Sequence, residues 1–309
     1  MERMNTTTAP PATASRPATG ARIARDSRIG RRGAKQRPVI ASAVLILGAL
    51  YCLVPVLWVV IASTKSNTEL FTTFTFIPGT SLLDNLGDLF AYGGGQFGMW
   101  AYNSAIYAIG GAVLSTLVST MAGYALAKYD FPGRQIWFYA ILAGVLLPGI
   151  TLAIPQYLLM SQMGLAGTYW SVLLPSLISP FGIFLARVYA SSAVPSETIE
   201  AARIDGANDY RIFTSIALPM MVPGMVTIFL LQFVGIWNNF LLPFIMLSDE
   251  RMYPLTVGLY TLLSKGSGTP SLYSLAIIGA AVSIIPLIIM MLVLQRYWRL
   301  DLVSGGLKG

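Results

Sequence analysis

Residues able to do covalent chemistry are scarce in this 309-residue chain. It has no His and a single Cys, Cys52. Cys52 lies within an apolar run, so it forms no disulfide inside the chain and leaves the redox compartment unread. No catalytic residue and no metal-ligating set can be assembled from what remains. ATP has no cradle here, because the chain lacks a Gly-x-x-x-x-Gly-Lys-Ser/Thr loop. Two groups of residues can instead make non-covalent contacts. One is the polar stretch around Glu200, with the acids Glu197, Glu200, Asp205 and Asp209 and the bases Arg203 and Arg211. The other is a set of amides in otherwise apolar sequence: Gln156, Gln232, Asn238 and Asn239. The charged stretch fits a docking handle or a solvated connecting loop equally well. The amides fit sugar hydroxyls or helix-to-helix hydrogen bonds.

Local rules shape the polar stretch. Pro195 opens a helix, with Glu197 and Glu200 in its first turns, where the dipole favours anions. Glu200 and Arg203 stand at i, i+3 and are expected to pair weakly. Ala201 and Ala202 favour helix and keep its surface low. Gly206 is placed to end the helix in a left-handed turn. Asn208 caps a second short helix over 209–217, which Pro219 is expected to stop.

The elements that hold these residues are apolar. The composition is 55% hydrophobic and 11% charged, against about 25% charged in a soluble domain. Val39–Ala62 runs 24 residues without a charge, enough to cross a hydrocarbon core of about 30 Å. Further uncharged runs cover Asn103–Ala127, Ile136–Met160, Trp170–Ala186, Val222–Leu247 and Tyr273–Leu294. A central charge costs about 2.5–3.5 kcal/mol on the insertion scale, so its absence supports a span in each. The fold class is all-α, a polytopic membrane protein with six transmembrane helices. Prolines recur in the spans and predict kinks.

Six spans put both termini on one side. With that side inside, the segments 1–38, 128–135, 187–221 and 295–309 hold seventeen Lys or Arg, and only Lys65, Arg251 and Lys265 remain outside. The positive-inside rule then expects both termini in the cytoplasm of a bacterial cell membrane, with the polar stretch facing the same way. This distribution also accounts for the net charge of +7 without a nucleic-acid partner. Residues 1–38 are too polar for a core and read as a disordered basic arm. Arg31-Arg32 reads as anchoring rather than as a twin-arginine signal.

The spacing Glu200-Ala201-Ala202, Gly206, Ile216, Leu218-Pro219 resembles the EAA loop of ABC-importer permeases, and Ile204-Asp205-Gly206-Ala207 resembles its carbohydrate branch. The similarity covers about residues 40–309. It includes Asn103-Ser104, Phe131-Pro132-Gly133-Arg134, Pro148-Gly149, Gly164-Leu165 and Pro180 to Phe184. The ending, Gln295-Arg296-Tyr297 through Gly309, resembles the MalG-like subunit. The resemblance implies an ABC type-1 importer permease fold: a first span and extracytoplasmic loop over 39–98, a transmembrane domain over 99–296 with the coupling loop at 195–219, and a cytoplasmic tail at 297–309. It implies a MalF-like permease partner, two ABC ATPase subunits that use the ATP, and an extracytoplasmic solute-binding protein that delivers a sugar. The implied docking residues are Glu200, Ala201, Ala202, Arg203, Asp205 and Gly206. Glu200 would meet an ATPase base, while Ala201, Ala202 and Gly206 would pack into its groove. Segment 248–272 would approach the binding protein, and 299–309 the ATPases. Two departures stand out: Ile199 replaces an acid before Glu200, and Arg299 to Val303 replaces the commoner tail pattern.

Other classes fit less well. A stand-alone secondary transporter or channel usually has buried ionisable groups in its spans, and these have none. A membrane enzyme lacks its nucleophile or metal set. A scaffold has no need of a charged helix with this spacing.

Overall fold

The computed structural model describes residues 37–305 apart from 267, 268 and 270. The 1–38 arm, save its last two residues, and 306–309 of the tail lie outside the described residues. The chain divides into two units, Met1–Pro55 and Val56–Gly309. In the first, the described residues form the opening turns of α1 (Arg37–Ser63), and residues 39–55 of it are exposed.

The second unit is helical throughout, with no strand among the described residues. Beyond α1 come α2 (Asn67–Thr72), α3 (Leu82–Ala91), α4 (Gln96–Ala105) and α5 (Gly111–Lys128), the last two joined through a π turn at Ile106–Gly110. Then follow α6 (Arg134–Val145), α7 (Gly149–Gln162), α8 (Tyr169–Leu177), α9 (Pro180–Ala193), α10 (Ser196–Ile204) and α11 (Asp209–Ile212). A second π turn, Phe213–Ala217, leads into α12 (Leu218–Trp237), and α13 (Leu241–Met246), α14 (Leu255–Gly266) and α15 (Ser271–Gly305) complete the chain.

Five stretches are long and apolar enough to cross a membrane: Val39–Ser63, Gln96–Lys128, Tyr169–Ala193, Asp209–Trp237 and Ser271–Gln295. The pair α6 and α7 makes a sixth when taken as one broken span. The uncharged run Ile136–Met160 is therefore not one straight helix. It bends by 106° where Pro148, with no N–H to give, caps α7 in extended geometry. Gly144 allows the bend to approach α9, since a Cβ there would stand 3.1 Å from Pro180 Cγ.

The fifth span departs from the expected Val222–Leu247 at both ends. It begins at Asp209, because Pro219 does not stop the preceding helix. Pro219 sits in the first turn of α12, and the π turn before it widens the hydrogen-bond ladder where a regular helix would bring the Ser215 carbonyl against its ring. The span ends at Trp237, because the Asn238 amide turns back to donate to the Val234 carbonyl at 2.8 Å. Asn239 Oδ1 then accepts from Leu242 N at 3.3 Å to start α13.

Of the three apolar clusters among the described residues, two position the sites. Phe97, Trp100, Phe233, Trp237, Leu262 and Ile278 belong to one. Tyr124, Ala186, Ala190, Ile199, Ile212 and Met221 belong to the other. Near the first, α4 and the π turn after it grip the start of α14 and the turn before it through four side chains. Trp100 Nε1 donates to Glu250 O (3.1 Å), Asn103 Nδ2 to Arg251 O (2.7 Å) and Tyr107 OH to Met252 O (3.1 Å), while Ser104 Oγ accepts from Leu255 N (2.7 Å). The 248–272 segment is thus anchored by buried hydrogen bonds at its start. In the 63–102 segment, Phe71 meets Tyr273 edge-on, and Phe71, Phe74 and Phe76 are exposed. Lys65 is buried and donates to Thr73 Oγ1 and the Phe74 carbonyl.

Helices α5 and α9 approach most closely at Gly123, where a Cβ would stand 2.4 Å from Ala186 Cβ and 2.6 Å from Arg187 N. Neither neighbour is a flexible tip, so backbone must move to admit a side chain. Gly123→Ala is expected to cost about 1–3 kcal/mol as overpacking. A lowered melting temperature in detergent, beside an unchanged one for Gly149→Ala, which meets open space, is the check.

Candidate functional site

The EAA-like stretch folds into a helix with two faces. Pro195 caps α10 in extended geometry, and Ser196 starts the helix. Ile199 and Ala202 point inward and join the cluster of Tyr124, Ala190, Val194 and Ile212. Glu197, Glu200, Ala201, Arg203 and Ile204 point outward. The inward set explains why position 199 carries Ile: it is a core position, where a charge would be buried. Ala202 is only 8% exposed, so it packs against its own subunit and is not free to enter another protein's groove.

The end of α10 is built as expected from Gly206. That residue has φ +81°, and its N–H bonds Arg203 O at 3.0 Å while Ala207 N–H reaches Ala202 O at 3.0 Å. These two bonds make a Schellman motif, with Ala207 packed near Ala202 as its apolar closure. Asn208 Oδ1 accepts from Arg211 N at 2.9 Å and caps α11.

Arg203 does not pair with Glu200. Its Nη2 bonds Asp209 Oδ1 at 3.0 Å, across the glycine turn. The turn folds α11 back beside α10, so the carboxylate six residues on lies nearer than the one three residues back. The Asp209 hydrogen bond holds the guanidinium above its ordinary pKa. Burial pushes the Tyr129 hydroxyl up, and the Asp209 charge adds to that shift. Glu200 is left facing outward. The stretch also exposes two large side chains that spacing alone did not single out, Ile204 at 87% and Tyr210 at 78%. The available signal was an Ile flanked by Arg203 and Asp205 on a helix whose inner face was already filled.

A second site lies between the broken helices. A cavity of about 460 Å³ is bordered by the start of α7, the α8–α9 break and the end of α12. Three of the four amides picked from the sequence, Gln156, Gln232 and Asn239, line it together with Ser176 and Ser179. Asn238 does not line it; its side chain is spent on Val234 O. None of the described residues that line the cavity is charged. Gln232 Nε2 donates to Ser179 Oγ at 2.7 Å, so one amide meets the helix-to-helix reading while still bordering the space. The described residues contain no group of His, Cys, Asp or Glu placed to hold a metal.

Residues 115–299 match the family described as binding-protein-dependent transport system inner membrane component. The chain is similar to the arabinooligosaccharides transport system permease protein AraQ of Halalkalibacterium halodurans, at 38% identity over 82% of this chain and 91% of that protein. It is also similar to the diacetylchitobiose uptake system permease protein NgcG of Streptomyces coelicolor, at 31% identity over 83% of this chain and 84% of that protein. Among solved structures, it is similar to a bacterial ABC transporter involved in the import of the acidic polysaccharide alginate. The TM-score there is 0.74 at 25% identity, covering 86% of this chain and 98% of that one.

The left-handed turn at Gly206 sets where α10 ends. Gly206→Ala is expected to cost about 1–2 kcal/mol, the strain of an L side chain in that region. Amide exchange at positions 206 and 207 should speed by about five- to thirtyfold. Arg203→Ala, which removes an exposed ion pair, should change it far less.

Proposed function

This chain belongs to the family of binding-protein-dependent transport system inner membrane components, and from that premise we propose that it is one permease subunit of an ATP-driven importer of a sugar or oligosaccharide. A family of this kind works with a second permease, ATPase subunits and a solute-binding protein. The finer reading is a MalF-like second permease and two ATPase subunits in the cytoplasm. Hydrolysis then takes place outside this chain, and its own work is mechanical.

One observation carries the reading: α10 has one face in the subunit's core and the other open. A partner pressing on Glu200, Ala201 and Ile204 pushes directly on Ile199 and Ala202, and so on α5, α9 and α12. Glu200 supplies an unpaired charge for a basic partner residue. Ile204 and Tyr210 supply apolar area of the sort that dominates protein interfaces. Ala201 keeps the outer face low, Ala202 fixes the helix to the bundle, and the Arg203–Asp209 pair with Gly206 sets its angle.

The cavity is the complementary half. Its amides and hydroxyls with no charge suit a neutral, hydroxyl-rich solute, and Gln156 and Asn239 are the groups placed to hydrogen-bond one. The imbalance of seventeen Lys or Arg against three supports an orientation with both termini and α10 in the cytoplasm. The 248–272 segment then faces the solute-binding protein.

The docking reading predicts that a crosslinker on Ala201→Cys captures an ATP-hydrolysing subunit in intact membranes. Glu200→Lys and Ile204→Asp should each abolish coupled ATP hydrolysis while the protein still inserts, because both side chains lie outside the spans. Capture of no such subunit, or loss of the variants from the membrane instead of loss of coupling, contradicts it.

A further inference from the structure

The docking helix and the cavity are joined by one continuous path. From Asp209, the chain runs through the π turn and α12 to Trp237 as a single stretch of 29 residues. Near its far end, Gln232 reaches out of α12 and donates from Nε2 to Ser179 Oγ at 2.7 Å. Ser179 is not a residue inside a helix. With Ile178 it forms the break between α8 and α9, and it has extended backbone geometry, φ −115° and ψ 104°. Pro175 lies before the break, inside α8, and Pro180 just after it, in the first turn of α9. The Ser179 hydroxyl also accepts from Gly182 N at 3.0 Å and so caps α9. The same oxygen therefore starts one half of a broken span and receives a side-chain hydrogen bond from α12.

A third group stands beside this joint. Ser119 on α5 is fully buried, and its hydroxyl has no hydrogen-bond partner among the described residues. A Cβ built on Gly182 would stand 2.7 Å from Ser119 Oγ and 3.1 Å from Ser179 Oγ. The two hydroxyls thus flank the same glycine, one engaged and one idle. A buried hydroxyl without a partner is costly in a bundle of this kind, so an arrangement of the joint that gave it one would be favoured. Two discrete hydrogen-bond arrangements around one hinge are what a two-state element needs.

We infer that Gln232 and Ser179 form the latch through which movement of the docking helix is passed to the cavity, with Ser119 as the second station of the joint. Pressure on α10 displaces α11 and α12 together, because Ile212, Ala217 and Met221 share a core with Ile199 and Ala202. At the far end, Gln232 then draws on the cap of α9, and the α8–α9 break opens or closes the cavity that it borders. Gln232 is a positioning residue in this scheme and acts through Ser179. The inference rests on the docking reading above and adds to it the route from docking to cavity.

The test separates the two. Cys52 is the only cysteine, so a Cys52→Ser background accepts single reporters. One bimane label goes on Ser215→Cys, exposed in the π turn after α11, and in a second preparation one goes on Ile178→Cys, 67% exposed at the joint. Each labelled chain is assembled with cysteine-free partner subunits, and its fluorescence is compared without nucleotide and after trapping with ATP and vanadate. In the parent, both reporters should respond. In Gln232→Leu and in Ser179→Ala, the Ser215 reporter should still respond while the Ile178 response falls about tenfold, the scale of one lost hydrogen bond. Ser179→Thr, which keeps the hydroxyl, should retain it. Ser119→Ala should weaken the trapped Ile178 signal and leave the nucleotide-free one unchanged. A normal Ile178 response in Gln232→Leu overturns the latch and leaves docking standing. Silence of both reporters in the parent overturns the docking reading, and the latch with it. Loss of both responses in Gln232→Leu and Ser179→Ala counts against this hydrogen bond as the specific link.

Discussion

Hydrocarbon gives a backbone nothing to bond to, so each polar group of a span must find its partner within the protein. This bundle is nonetheless broken inside three of its apolar runs, at 146–148, 178–179 and 238–240. Each break is repaired locally. Leu146 and Leu147 donate back to Ala143 and Gly144. The Ser179 hydroxyl takes the Gly182 N–H, and the Asn239 side chain takes the Leu242 N–H. Thr256 donates to the Asn239 carbonyl. Ser179 and Asn239, which make these repairs, line one cavity together with Gln156 and Gln232. Its polarity follows from the need to satisfy broken helices, and that polarity suits it to a hydroxylated solute.

The same economy is visible at α10. A short helix of nine residues is marginal by itself, since isolated helices need about 12–15 residues to persist in water. It is held from three directions: the Pro195 start, the Schellman closure at Gly206, and burial of Ile199 and Ala202. The outer face is then free to carry charge and exposed apolar area at little cost to the fold. The Arg203–Asp209 pair is exposed and adds little stability. Its effect is geometric, closing the turn between α10 and α11 so that the two move as one piece.

Membership of the permease family gives these features a common purpose. A subunit without catalytic groups can take part in ATP-driven import only by transmitting force, which needs a stiff contact at one end and a yielding joint at the other. In the proposed scheme the stiff part is the core that Tyr124, Ala186, Ile212 and Met221 share. Its proposed yielding part is the α8–α9 joint, with prolines on both sides and one hydroxyl cap.

Much of this was legible from residue order, for reasons that are local. Uncharged runs marked the spans because a charge in lipid is costly wherever it falls. Pro195, Gly206 and Asn208 marked helix ends because their backbone preferences do not depend on distant residues. The order of residues also marked Gln156, Gln232 and Asn239 as unusual, without indicating that they share a cavity. What it misjudged depended on neighbours brought in by folding. Pro219 reads as a stop until the π turn relieves it, Arg203 reads as the partner of Glu200 until the turn presents Asp209, and Ala202 reads as surface until the inner face is filled. Local chemistry fixes where helices start and what they cannot contain. Which side chains meet across helices is decided only when the bundle closes, because hydrogen bonds and packing are set by distance in space and not by separation along the chain.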